Sequence, residues 1–374
     1  MKTILEGSRA VATTIKNIAP AVISAYPITP QTHIVENLAK FKADGLADFE
    51  YVITESEFAA ISIVQGAVAT GVRAYTATSS QGLLMMSEAI FNIAGMRLPV
   101  VMTCANRAIS APINIYNDQQ DALTFRDAGW LMFFAEDVQE ACDLHVLAYK
   151  VAEKLSLPVM VNMDGFILTH VVEPVDIPET KNIKKFLPPY QPEIYLDPKN
   201  PLTLGAYVGP QDYLEMRQAL HQDIIDSEKT ILEEMKNFQN IFGRKLSMVE
   251  YFGPKNPETI IVAMGSVIGT IREALDEFKN KTVGVLKITA LRPLADKQII
   301  KLLNSAKNIA ILDKSISLGT EGILATEIRR TIKDKKIISF VAGLGGRDIK
   351  IETIKNIIKL TEEAKEEKTI FLRE

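Results

Sequence analysis

Through about residue 170 the chain alternates short apolar runs with longer stretches whose apolar residues recur every three or four positions. "AVISAY", "FEYVIT", "RAYTAT", "PVVMTCA", "WLMFFA" and "LPVMVNMD" have the length and side-chain types of strands. "QTHIVENLAKF", "EFAAISIVQGAVATG", "QGLLMMSEAIFNIAGM" and "DVQEACDLHVLAYKVAEKL" have the period of helices. Such alternation predicts a mainly parallel sheet covered on both faces, with ligands gathered at the carboxyl ends of its strands. From Val171 to about Lys255 the pattern breaks into proline-rich text and then one long helical stretch, "QDYLEMRQALHQDIIDSEKTILEEMKNFQNIFG". Leu214, Leu220, Ile224, Ile231, Leu232, Met235 and Phe238 form its apolar stripe. It reads as an arm packed on its neighbours, because the stripe does not sustain coiled-coil heptads. From "ETIIVAMG" onward alternation resumes with "TVGVLKI", "NIAILDK" and "IISFVAG" as strands. The fold class is therefore α/β, with a first domain over residues 1–174, a linking arm over 175–255 and a second, smaller domain over 256–374.

Length and composition agree with this division. The 374 residues leave room for about two domains. Hydrophobic residues at 47% supply ample core material. A net charge of -4 and the lack of a Lys/Arg block offer no face for nucleic acid. The start, "MKTILEGSRAVATTIKN", has no apolar signal region, and no run approaches the roughly 20 residues that span a bilayer. A cytoplasmic protein without membrane contact is expected. Cys104 and Cys142 are too few and too far apart for an iron–sulfur cluster or a disulfide framework. His33, His145, His170 and His221 lack the i, i+4 spacing of a metal site, so no metal is expected on this chain alone.

Three strand ends carry candidate chemistry. Thr29 sits between two prolines in "AYPITPQT", a stretch stiff enough to position a hydroxyl or simply to make a tight connection. Glu57 follows a strand and opens a helix; Thr54 to Glu57 also fits the T-x-x-E capping box, a purely structural use. Arg107 enters a long loop, where it is either a solvated charge or an anion clamp. In the second domain "MGSVIGT" could cradle an anion at a helix start, but Gly265 and Gly269 do not make a dinucleotide fingerprint.

Taken in order, "YPITP", "ESEFAA", "RAYTATSSQGL", "NRAISAPINI", "LPVMVNMDGFILTH" and "GLGGRDI" resemble the alpha subunit of pyruvate:ferredoxin oxidoreductases, of the 2-oxoacid:ferredoxin oxidoreductase family, along nearly the whole chain. The resemblance implies a thiamine-diphosphate-binding domain of the pyrimidine type followed by a domain like the C-terminal domain of transketolases. It implies that Glu57 faces N1′ of the aminopyrimidine, where its hydrogen bond favours the imino tautomer that takes the thiazolium C2 proton. It makes Thr29 and Arg107 the residues that hold the 2-oxoacid. Ile28, Ile113 and Ile115 would lie beside the cofactor, and the "PINI" wording favours pyruvate over branched-chain substrates such as 2-oxoisovalerate. The chain lacks the G-D-G of the diphosphate half, "MDGF" being the nearest string. A beta subunit is thus expected to share the thiamine diphosphate and to supply Mg2+ and a [4Fe-4S] cluster. Gamma and delta subunits, coenzyme A and ferredoxin complete the implied set of partners. A noncatalytic assembly subunit of such a complex is the competing reading.

Overall fold

The computed structural model describes residues 2–279, 282–332 and 334–373. Its first half holds strands β1 (Thr3–Glu6), β2 (Val22–Ala25), β3 (Glu50–Ile53), β4 (Ala74–Thr78), β5 (Val101–Asn106), β6 (Leu131–Phe134), β7 (Val159–Asp164) and β8 (Val172–Val175). Between them run helices α1 (Gly7–Ile18), α2 (Thr32–Ala43), α3 (Glu57–Ala69), α4 (Ser80–Met85), α5 (Ser87–Gly95), α6 (Gln120–Thr124) and α7 (Val138–Leu155). The arm contributes α8 (Thr180–Phe186) and α9 (Pro210–Phe242). The remainder is β9 (Val249–Phe252), β10 (Thr259–Ala263), α10 (Val267–Glu277), β11 (Val283–Ile288), β12 (Ala290–Arg292), α11 (Asp296–Leu303), β13 (Asn308–Asp313), α12 (Ile323–Thr331), β14 (Ile337–Val341), α13 (Ile351–Glu363) and β15 (Lys368–Phe371). No helix of the described residues is long and apolar enough to cross a membrane.

Two mainly parallel sheets organise these elements, as the alternation predicts. The first runs β12-β6-β7-β5-β4-β2-β3 and the second β15-β14-β13-β10-β11-β9. Strands β4, β5 and β7 are buried at every residue, the mark of central strands with both faces covered. Each sheet borrows an antiparallel edge strand from across the expected boundary at 255/256. Strand β9, inside the stretch read as the arm, pairs with β11, and β12 of the second domain pairs with β6 of the first. Neither short strand has an alternation long enough to be read from the sequence, and their places depend on partners far away in the chain. "QGLLMMSEAIFNIAGM", expected as one helix, is two, broken at Met86.

Helix α9 begins one residue before the stretch that predicts it and ends at Phe242, with Gly243 in the left-handed conformation closing it. Its stripe packs only from Leu220 onward: Leu220, Ile231, Met235 and Phe238 are buried, whereas Leu214 is 69% exposed. Phe238 packs edge-on against Phe186 and stacked against Phe242, which fastens the arm to itself. Just beyond, Arg244 donates two 2.7 Å hydrogen bonds to the buried carboxylate of Asp143 on α7. Three further buried ion pairs tie the domains together, Lys287 to Glu136 and to Glu140, and Lys314 to Asp164.

Candidate active site

The sequence-identified residues gather where β2, β3 and β5 end. After Ala25 the chain turns through Tyr26 to Pro30, and this turn is pinned from beneath by Gln31, which is fully buried. The Gln31 amide donates to the Ala77 carbonyl of β4 at 2.5 Å, and its oxygen accepts from the Ile28 N–H. Thr29 is thereby held exposed at the surface, while Ile28 is half-buried. Stiffness here comes from a buried amide as well as from the two prolines.

Glu57 corrects the capping-box expectation. Helix α3 is capped by Ser56, whose hydroxyl accepts from the Ala59 N–H at 3.2 Å, and Thr54 instead donates to backbone carbonyls. Because Ser56 is the extended residue, Glu57 is the first helical position rather than the third, and its carboxyl is free of capping work. It is 7% exposed and has no hydrogen-bond or ion-pair partner among the described residues. Gly82 of α4 lets the helix pack directly onto it: a Cβ there would come within 2.7 Å of Glu57 Oε1 and 2.5 Å of Thr78 Oγ1. The Thr78 hydroxyl and the Gln81 amide nitrogen are themselves buried without partners. Buried polar groups are normally satisfied, and these are not.

Arg107 reaches the Thr29 loop, but through the backbone: Nη1 donates to the Thr29 carbonyl at 2.9 Å and Nε to the Asn114 carbonyl at 3.3 Å. Nη2 has no protein partner among the described residues, and burial lowers the guanidinium from its ordinary value against the pull of Asp121. Asp121, which sequence reasoning missed, is the hub behind this face. Fully buried, it accepts from the N–H groups of Ser80 and Arg107 and from the Asn106 amide, joining the start of α4 to the end of β5. Burial pushes its carboxyl up, and these bonds pull the other way. Its only sequence signal is an acid just inside a short helix, indistinguishable from a solvated one.

Ile113 and Ile115 stand on the loop after Arg107, 81% and 37% exposed. The second domain braces that loop. Asn114 donates to the Gly345 carbonyl at 3.1 Å, and the Gly346 N–H donates to the Asn117 carbonyl at 2.8 Å. Gly346 has φ +80°, and a Cβ on it would stand 2.3 Å from the Tyr116 Cβ. "GLGGRDI" therefore supplies a flat backbone surface against which the loop rests.

Asp164, the acid of "MDGF", is 1% exposed and fully engaged. It accepts from Lys314 Nζ (2.8 Å), Gln119 Nε2 (2.9 Å), Asn117 Nδ2 (3.1 Å) and the Ser266 N–H (2.9 Å). Burial alone would raise this carboxyl, but Lys314 and the donors around it hold it below the usual carboxylate range. The anion that "MGSVIGT" cradles is thus a carboxylate of the same chain. Although their spacing along the chain gives no sign of it, the fold brings His33 and His170 together with Glu6.

A family model described as "Pyruvate flavodoxin/ferredoxin oxidoreductase, thiamine diP-bdg" matches residues 13–236, and one described as "Pyruvate:ferredoxin oxidoreductase core domain II" matches residues 257–354. The chain is 48% identical over 369 residues to pyruvate synthase subunit PorA of Methanosarcina barkeri, covering 96% of this chain and 92% of the relative. It is 38% identical over 382 residues to ketoisovalerate oxidoreductase subunit VorA of Pyrococcus horikoshii, covering 99% of this chain and 97% of the relative. Among solved structures, the 2-oxoglutarate:ferredoxin oxidoreductase of Magnetococcus marinus superposes with a TM-score of 0.74 at 20% identity, over 96% of this chain. This chain spans 65% of that one. A split-gene transketolase superposes with a TM-score of 0.56 at 11% identity, over 96% of this chain and 98% of the other. These two likenesses concern the fold alone.

Proposed function

This chain belongs to the pyruvate:ferredoxin oxidoreductase family as an alpha subunit, and we propose that it forms one half of a shared active site converting pyruvate and coenzyme A to acetyl-CoA and carbon dioxide. The two electrons released pass to ferredoxin, and the reaction is reversible as pyruvate synthesis. The observation that carries this reading is the Glu57 carboxyl, buried and without a partner among the described residues where it packs against Gly82.

Thiamine diphosphate, when bound, supplies the acidic thiazolium C–H and the electron sink for decarboxylation. Glu57 would hold N1′ of its aminopyrimidine, keeping a proton at that nitrogen. Ile28, Ile113 and Ile115 would exclude water from the ring face. The Thr29 hydroxyl and Arg107 Nη2 would hold the substrate carboxylate, Arg107 being steadied by its bonds to the Thr29 and Asn114 carbonyls. A clamp with a single free nitrogen suits a carboxylate that must leave as neutral carbon dioxide, since tight ground-state binding would oppose the step.

We assign the diphosphate and its Mg2+ to a beta subunit. Asp164, the closest match to the acid of a G-D-G motif, is fully engaged with Lys314, Gln119, Asn117 and Ser266. The [4Fe-4S] clusters fall to partner subunits, because Cys104 and Cys142 are both buried and sit on separate elements. Beta, gamma and delta subunits then complete a cytoplasmic complex. Higher identity to pyruvate synthase subunits than to the ketoisovalerate enzyme favours pyruvate. The test is to purify the assembled complex and follow CoA-dependent ferredoxin reduction with pyruvate, 2-oxoisovalerate and 2-oxoglutarate. Pyruvate is expected to give the highest kcat/KM; if it were the poorest of the three, the substrate assignment would fall.

A further inference from the structure

Glu6, His33 and His170 take no part in the function proposed above. Each offers one ligand atom, and these atoms all lie within 4.8 Å of one another. Three different elements deliver them: Glu6 ends β1, His33 lies in the first turn of α2, and His170 follows the turn beyond β7.

Backbone contacts that do not involve the three side chains create this meeting. Strand β1 pairs with β8 so that Glu6 lies opposite Val172. The Gly7 N–H donates to the Val171 carbonyl and the Ser8 N–H to the Thr169 carbonyl, both at 2.9 Å. Residue 7 has to be glycine here, since a Cβ would stand 1.8 Å from the Leu168 carbonyl oxygen. The start of α1 is thus drawn down onto the 168–170 turn.

The side chains are oriented as ligands are. His33 Nδ1 lies 2.6 Å from Glu6 Oε1, and His170 Nδ1 lies 2.7 Å from Thr169 Oγ1. Phe166 stacks on the His170 ring at 4.7 Å, and the His33 ring lies 4.7 Å away from it. A bond at Nδ1 orients each ring and leaves Nε2 as the nitrogen that can face an ion. An ion pair would account for Glu6 and His33. It would not account for a second imidazole held against them with its Nε2 unpartnered among the described residues. All three residues are half-buried, so water can complete a coordination sphere.

We propose that Glu6, His33 and His170 bind a divalent transition-metal ion. Two imidazoles and one carboxylate with a position open to water suit Zn2+. Donors about 2 Å from one ion stand about 3 to 4 Å apart, so small side-chain rotations close the set. The ion would staple α1, α2 and the 165–170 turn just behind the loop that carries Thr29.

The full-length chain, stripped with chelator and dialysed against micromolar Zn2+, is expected to retain one equivalent after gel filtration and to melt at higher temperature with the metal bound. Co2+ should give visible d–d absorption. His33→Gln and His170→Gln should each weaken Zn2+ binding at least about tenfold, while His221→Gln on α9 leaves it unchanged. The proposal is overturned if the wild-type chain retains no stoichiometric Zn2+, or if both site variants hold it as tightly as wild type. Because uptake by the unaltered chain is decisive alone, a variant that fails to fold does not protect the idea.

Discussion

Asp164 and Glu57 are buried carboxylates near strand ends of the same sheet, and their surroundings are opposite. Asp164 ends β7 at the junction with the second domain and receives an ammonium, two amides and a backbone N–H. Glu57 opens α3 after β3 and has no partner among the described residues, and the Thr78 hydroxyl across Gly82 from it is unpartnered too. Removing a charge from water without compensation is costly, so the first arrangement belongs to the scaffold. The second fits the ligand-holding role proposed for Glu57. Burial alone does not separate the two; the census of partners does.

The widest separation between the two regions should come from Glu57→Gln. If Glu57 holds a proton at the cofactor as proposed, kcat of the assembled complex should fall by roughly 10²- to 10⁴-fold. The melting temperature should hold or rise, because no native bond is lost. Unimpaired CoA-dependent ferredoxin reduction by this variant would leave the assembly-subunit reading standing instead. Lys314→Met inverts the pattern, leaving Asp164 charged and short of its cation. Denaturant unfolding should register a loss of about 3–5 kcal/mol.

Thr29→Ala is a milder test on the ligand side. Losing one hydrogen bond to a substrate carboxylate should raise KM for pyruvate roughly tenfold, with melting temperature nearly constant because Thr29 is exposed. An equal loss of folding stability would return Thr29 to a merely structural turn. The smallest effect concerns Asp118, a neighbour of the Asp164 cluster. Burial pushes its carboxyl up to about 7 from an ordinary 3.8. The fold therefore keeps a proton that the unfolded chain releases, so this contribution to stability is complete below about pH 4 and is lost as pH rises through about 7. The melting temperature should decline from pH 5 to 8, and Asp118→Asn should make that decline shallower.

The long elements were legible because their signal is local. The apolar period placed α9 to within a residue, and continuous apolar runs located β4, β5 and β7. Thr29, Arg107 and Glu57 do lie around the same strand ends. What stayed illegible depends on residues far apart in the chain. Asp121 reads as an ordinary acid of a short helix until its bonds to the Ser80 and Arg107 N–H groups join α4 to the end of β5. The T-x-x-E string matched a capping box, yet Ser56, one residue before the acid, took the cap because the backbone is extended there. Histidine spacing gave no hint of Glu6, His33 and His170, since pairing of β1 with β8 assembles them.

Strand β12 has a consequence for how this polypeptide can be made. It covers the edge of β6, "LMFF", whose four residues are all buried, and the Phe134 N–H donates to the Thr289 carbonyl at 2.8 Å. Were the chain severed near residue 255, the leading fragment would keep most of its sheet but present a bare apolar strand edge. Such an edge recruits strands from other copies. The fragment should precipitate on its own and regain solubility when the trailing fragment is synthesised beside it. Continuity of the backbone thus acts as protection against aggregation during synthesis.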